Sequence, residues 1–388
     1  MGMKKLFAAI AAVFAFLIIF SGCGEDVTSR LQVYYSMNAE ADLVISDRFN
    51  RKAQRDYKNM CNEIEKALDE INFAISLSYP DSYILKFNEA EASETIEINK
   101  ICFEVLKIAK DTYTLTDGYY NPAVYYSVQA YGFNEAADNN KTPAERIPDD
   151  GILEKYRELS THFEELELSE EDGKYYAKKP AATFSDGDKT YSLKLDLGGI
   201  GKGYAVDKVN EIIDGYGFKY GYFNFGASSM VCKSHYENGD YIFGFTNPRY
   251  DEEGNIFMTG KGANVCRSTS GDYAQYFEHE GVRYCHVIDP TTGKPVQTGI
   301  MSASVIGGTA AEGDALTTAI MAMGKERAVQ FINEKLYGRK VTFTFDNSGS
   351  YEIITNIPEG EYTVAHSKFK VANTLVDGKI ILGGANVS

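Results

Sequence analysis

The chain has 388 residues, 44% hydrophobic and 13% aromatic, an ordinary globular composition for one large domain or two closely joined ones. Its formal net charge of -16 argues against a nucleic-acid partner, because duplex binding needs a basic footprint. An anionic ligand is still open to it through local donors or a metal ion.

Met1 to Lys5 form a basic start, followed by the apolar run Leu6 to Phe20. Such a run is short for a membrane span and suits the core of a secretory signal. The ending FSGC resembles a bacterial lipobox, with Cys23 as the acylated first residue and Phe20 in place of the usual leucine. Residues 1–22 then read as a lipoprotein signal peptide and 23–31 as a tether. An uncleaved anchor is the alternative; both put the body outside the cytoplasm, held to a membrane. The other cysteines are Cys61, Cys102, Cys232, Cys266 and Cys285. Their odd number, irregular spacing and lack of C-x-x-C predict mostly buried thiols, leave a disulfide unspecified and argue against zinc.

LQVYYSM starts the first strand, and apolar residues at Met60, Ile64, Leu68, Ile71 and Ile75 predict an amphipathic helix over 51–78. A second helix is predicted over 99–115, then a polar surface loop with a short helix over 135–160. FEELELS, KYYAKK and SLKLDL read as hairpin strands around a polar surface excursion, PAATFSDGDKT. After the glycine-rich LDLGGIGKGYAVDKV comes a helix over 204–216, then the strands YGYFNFG, YIFGFTN, FMTGKGANVCRST and RYCHVID. GIMSASVIGG feeds a helix over 311–324, KERAVQFINEKLY gives another, and the tail from Lys340 reads as strands. The fold class is α+β, with helices in front and mixed sheet behind.

Chemistry collects in three places. Asp314 and Thr318 lie at i and i+4 on one helix face with Thr317 beside them, hard oxygen donors suited to Mg2+. An aspartate near a helix start is also a common cap or dipole partner. Gly198, Gly199, Gly201 and Gly203 let backbone approach a ligand where a helix begins, with Lys202 and Asp196 alongside. A tight strand-to-helix packing turn explains the same glycines. His286 stands before a D-P-x-T-G turn and is suited to general-base work, or to an ordinary structural role. STSGDY, over 268–273, offers hydroxyls and a glycine at another junction.

LDLGGIGKGYAVD, STSGDY, HVIDPTTGKP and EGDALTTAIMAMG, in this order, resemble the ApbE family of FAD:protein FMN transferases. YSM, DSYILKFN and TDGYYNPAVYYSVQAYGF extend the resemblance over about residues 32–370, leaving 371–388 as a C-terminal strand and tail. The resemblance implies a two-lobed mixed fold with FAD in the cleft between lobes. It also implies Mg2+-dependent transfer of the FMN half of FAD to a threonine or serine hydroxyl of an acceptor protein, releasing AMP. Carried over by motif, Asp314, Thr318 and the Gly199 carbonyl hold the metal with Thr317 close by. Asp196, Lys202, Met37, Tyr131, Gly132, Phe133 and Ile288 contact FAD, and His286 is the base. Relatives place a tyrosine where this chain has Ser78, so Tyr79, one residue on, must swing in if that residue covers the flavin. The acceptor is expected to be a membrane-bound flavoprotein of an electron-transfer complex, and no acceptor motif of the D-x-x-T-[SG]-A-T kind occurs here. Two further readings use the same residues: an FAD pyrophosphatase giving FMN and AMP, and a flavin-binding lipoprotein without catalysis.

Overall fold

A computed structural model describes residues 26–134, 141–226 and 228–382. The leader and Cys23 lie outside these residues, and the tether and C-terminal tail fall only partly within them.

Nine strands form the main sheet: β1 (Thr28–Ser36), β2 (Ala39–Asp47), β3 (Gly221–Phe225), β4 (Ser229–Cys232), β5 (Val265–Gly271), β6 (Ile300–Ile306), β7 (Lys340–Asn347), β8 (Ser350–Thr355) and β9 (Phe369–Val371). Their order in space is their order in the chain. Neighbours run antiparallel except the parallel pair β8–β9. Apart from a C-terminal hairpin, Asn373–Val376 paired with Lys379–Leu382, the other elements are inserted between these strands, so the sheet is a meander carrying large excursions. β6, near its centre, is buried at every residue, as expected of a strand covered on both faces. Ala303 and Val305 join the core on the helix side. Met301 joins a second core with Phe243, Phe245, Phe257 and Met258 of the small sheet formed by Tyr241–Asp251, Gly254–Gly262 and Tyr362–Val364.

The helices are α1 (Arg51–Ile75), α2 (Tyr83–Glu89), α3 (Lys100–Leu115), α4 (Tyr125–Ala130), α5 (Asp150–Thr161), α6 (Gly201–Gly215), α7 (Ala310–Met323) and α8 (Lys325–Lys335). Asn50 starts α1 by accepting from the N–H groups of Lys52 and Ala53, and its apolar stripe from Tyr57 to Ile75 is buried. Asn99 caps α3 through the Cys102 N–H. α7 is buried almost all round and is the central helix of the core. Cys61, Cys102, Cys232, Cys266 and Cys285 are all free thiols, the first and fourth half-buried and the others buried.

Two expectations need correction. The polar excursion is itself a hairpin, Thr183–Asp186 paired with Lys189–Ser192, fixed by Phe184 stacked on Tyr191 at 4.7 Å. SLKLDL is not a strand beyond Ser192. Its leucines at 193, 195 and 197 are buried alternately, which imitates a strand. Its backbone is instead satisfied by Asn88, whose amide accepts from Leu195 N and donates to Leu195 O, both at 2.8 Å. Asp196 N then donates to the Pro122 carbonyl at 2.8 Å. That irregular run delivers Asp196 and the glycine segment to the start of α6.

Candidate active site

A cleft of about 480 Å³ opens where the glycine segment meets α7, a size usual for small-molecule sites. Its wall brings together Met37, Phe133, Asp196, Gly199, Lys202, His286, Ile288, Asp314 and Thr318. Residues more than 270 positions apart in the chain thus meet on one surface. A larger hollow of about 930 Å³, walled in part by Lys107, Lys110, Glu164 and Lys178, holds none of these groups.

The floor is built by two helices that exchange carboxylates. Asp314 of α7 accepts from Gly203 N at the start of α6, at 3.1 Å. Asp207 of α6 accepts from Ala310 N and Ala311 N at the start of α7, at 2.7 and 2.9 Å. Each aspartate satisfies donors that its partner helix leaves open and opposes the positive end of that helix. The crossing is close enough that a Cβ at position 203 would lie 2.2 Å from the Ala310 carbonyl oxygen, so glycine is required there. A Cβ at Gly199 would lie 3.4 Å from Thr318 Oγ1, which puts the glycine segment directly against the α7 hydroxyl.

Asp314 is buried, and burial raises its carboxyl pKa. The Lys202 charge, the Gly203 N–H and the Ser229 hydroxyl oppose that rise. Thr317 and Thr318 both donate to the Asp314 carbonyl, at 2.8 and 3.2 Å. Ser270 Oγ stands 2.8 Å from Thr317 Oγ1 and 3.4 Å from Thr318 Oγ1, tying β5 to this turn.

His286 shares the cleft wall with this group. Its Nδ1 is 3.3 Å from the Gln275 carbonyl, which can only accept. Nδ1 therefore carries the proton and Nε2 keeps the lone pair. Burial, then the positive charge of Lys202, pushes the imidazole pKa down to about 4, so the ring is neutral at neutral pH. The following turn is rigid: Asp289 accepts from Thr291 N at 2.8 Å and Thr291 Oγ1 at 2.7 Å, and its carbonyl accepts from Gly293 N at 2.8 Å. The aspartate of this motif holds the turn that follows, while the histidine is tied to Gln275, whose carbonyl also accepts from His286 N at 3.0 Å.

Four expected residues stand outside the cleft wall. Thr317 is fully buried with its hydroxyl engaged as above. Tyr131 is buried and stacked on Tyr284, in a column that continues through Phe277 to Phe133. Gly132 closes α4 at φ 83°, a conformation that favours glycine, so this pair supports Phe133. Tyr79 is 47% exposed and packs edge-on against Phe73. The aromatic rings that do reach the cleft are Tyr119, Tyr120 and Phe133. Sequence reasoning did not single out Tyr119, Tyr120, Asn134 or Gln275, although the two tyrosines lie within a motif it used.

The oxygen set of Asp314, Thr318 and the Gly199 segment fits a hard divalent cation. It offers one carboxylate, a hydroxyl and backbone, and no nitrogen or sulfur. Among the described residues no group of three or more His, Cys, Asp or Glu side chains could hold a metal. A sparse oxygen set of this kind suits Mg2+, which keeps waters and takes phosphate oxygens from its substrate.

The sequence profile of the ApbE family matches residues 32–343. The chain belongs to the ApbE family. An FAD:protein FMN transferase of Vibrio cholerae is 27% identical over 327 residues, 84% of this chain and 90% of the relative. One of Treponema pallidum is 23% identical over 295 residues, covering 71% and 76% of the two chains. Among solved structures, the flavin transferase ApbE from Vibrio cholerae matches with a TM-score of 0.69 at 23% identity, covering 85% of this chain and 97% of that one. The ApbE protein from Thermotoga maritima gives 0.68 at 22% identity, with coverage of 82% and 94%. These two share the α+β fold described above.

Proposed function

We propose that this ApbE-family chain is a flavin transferase that moves the FMN half of FAD to a threonine or serine hydroxyl of an acceptor protein. The observation that carries this reading is a neutral, oriented imidazole, His286, sharing one cleft with the Asp314–Thr318–Gly199 oxygen set and with Lys202 and Asp196. The names of the relatives support it.

His286 Nε2 takes the proton of the acceptor hydroxyl as its oxygen forms a bond to the FMN phosphorus, and the bond to the AMP phosphate breaks. AMP leaves with the electron pair of that bond, and the proton resides on the imidazole. A positioned base of this kind contributes on the order of 10²–10⁴-fold. Asp314, Thr318 and the Gly199 carbonyl would hold Mg2+, which when bound polarises phosphoryl oxygens and steadies the leaving group. A strongly acidic chain cannot neutralise a pyrophosphate with bulk charge, so Lys202 supplies the local positive side chain. Phe133 and Ile288 offer apolar wall for a ring system, and Asp196 an acceptor for a base or sugar.

The lipobox-like end of the leader supports an enzyme held at the extracytoplasmic face of the cell membrane by a lipid on Cys23. The acceptor is then a membrane-bound electron-transfer flavoprotein exposed on that side. Incubating the protein with FAD and Mg2+, with and without a threonine-containing acceptor peptide, tests the reaction by mass. The reading expects FMN on the peptide and AMP in equal amount. Release of free FMN and AMP at the same rate in both arms would make the protein a pyrophosphatase. Intact FAD in both would leave a binding protein.

A further inference from the structure

Tyr120 carries a hydroxyl that nothing in the fold uses. It stands in the turn after α3, is 3% exposed and lines the cleft, yet its Oη has no hydrogen-bond partner among the described residues. The rest of that turn is engaged. Thr116 Oγ1 accepts from Tyr120 N at 3.1 Å, and Asn121 Oδ1 accepts from Ala123 N at 2.9 Å. The ring is fixed against the glycine segment, where a Cβ at Gly199 would lie 3.7 Å from Tyr120 Cε2. A phenol hydroxyl can donate one hydrogen bond, and this one is bonded to neither carboxylate of the cleft, Asp196 or Asp314. A buried hydroxyl without a partner costs stability, and phenylalanine would fill the same space without that cost. The oxygen is explained by something that enters the cleft.

We propose that Tyr120 Oη donates a hydrogen bond to the pyrophosphate of the bound dinucleotide, beside the Gly199–Asp314–Thr318 oxygen set. This rests on the reading of the cleft as an FAD site. Within FAD the pyrophosphate is the part that a divalent cation on Asp314 and Thr318 would hold, and Tyr120 touches the same glycine segment. A phosphoryl oxygen is a charged acceptor, so the bond is of the stronger, charge-assisted kind.

Tyr120→Phe removes the oxygen and keeps the ring. In the full chain, with Mg2+ and no acceptor, flavin fluorescence gives the affinities for FAD and for riboflavin, which lacks the pyrophosphate. Thermal melting of the ligand-free protein is measured alongside. The FAD Kd is expected to rise about tenfold or more, the riboflavin Kd to stay unchanged, and the ligand-free Tm to hold or increase. An unchanged FAD Kd, an equal loss for riboflavin, or a lowered ligand-free Tm overturns the proposal. If the wild-type chain fails to bind FAD, the underlying reading falls and takes the proposal with it.

Discussion

In the proposed reaction His286 acts as the base, and its surroundings suit it to that role by removing its charge. With the pKa held near 4 by burial and Lys202, the ring is unprotonated throughout the physiological range. Activity that requires the neutral ring is present above that value and is lost as pH falls through it. At saturating Mg2+, the single-turnover rate between pH 5 and 8 is therefore expected to show no inflection near 6.5, the ordinary histidine value. A limb centred there would contradict the assigned environment. Asp314→Asn keeps the shape, and its amide oxygen can still accept from Gly203 N, but it loses the charge. It is expected to fold and to lose Mg2+-dependent transfer by on the order of 10²-fold, read as a product time course across Mg2+ concentrations. At this scale the sequence was informative where a residue type is chemically distinctive. His286, Asp314, Thr318, Lys202 and Asp196 stood out in their motifs, and all reach the cleft. Tyr120 did not, because it stands beside Tyr119 and only tertiary burial shows which of the two hydroxyls is left unpartnered. Tyr79 illustrates the converse: a tyrosine one residue beyond the expected place packs on Phe73 and is not part of the cleft wall.

The pair α6 and α7 is the element on which the site depends. Each helix start is closed by a carboxylate from the other, so the position of Asp314 at the cleft is coupled to Asp207 about one hundred residues earlier in the chain. Asp207→Asn, which keeps at most one good acceptor oxygen and no charge, is expected to cost about 1–2 kcal/mol in denaturant unfolding. Gly203→Ala opposes two effects. Alanine gains about 1 kcal/mol in helix propensity, but its Cβ would stand 2.2 Å from the Ala310 carbonyl, a backbone atom that cannot step aside. The clash wins, and the variant is expected to melt lower and to bind Mg2+ more weakly; a higher Tm would show that the crossing is looser than described. The longer helices were legible from the sequence, whereas the short α2 and α4 were not. The exchange was not, since an aspartate within a helix has no local sign of capping a different one. Nor was the fate of SLKLDL, whose alternating leucines satisfy the strand pattern while Asn88 takes the backbone bonds.

The whole molecule is a colinear sheet with the chemistry carried on its insertions. β1 and β2 deliver Met37, β5 delivers Ser270, and the turn after the Val282–Cys285 strand delivers His286. The central strands are sealed by α7 on one face and the phenylalanine-rich small sheet on the other. Class and approximate elements followed from periodicity. The sheet order did not, because antiparallel pairing between β2 and β3 bridges about 170 residues that no local pattern connects. With its described cysteines present as thiols, the protein is expected to show the same Tm with and without a reducing agent. The central claim is that one cleft joins His286 to an oxygen-rich dication site for FMN transfer. The most direct test is the mass of an acceptor peptide after incubation with FAD, Mg2+ and either the wild-type chain or His286→Ala. The account predicts an FMN adduct with wild type and, at equal FAD occupancy, almost none with the variant. An adduct formed at the wild-type rate by His286→Ala would contradict it.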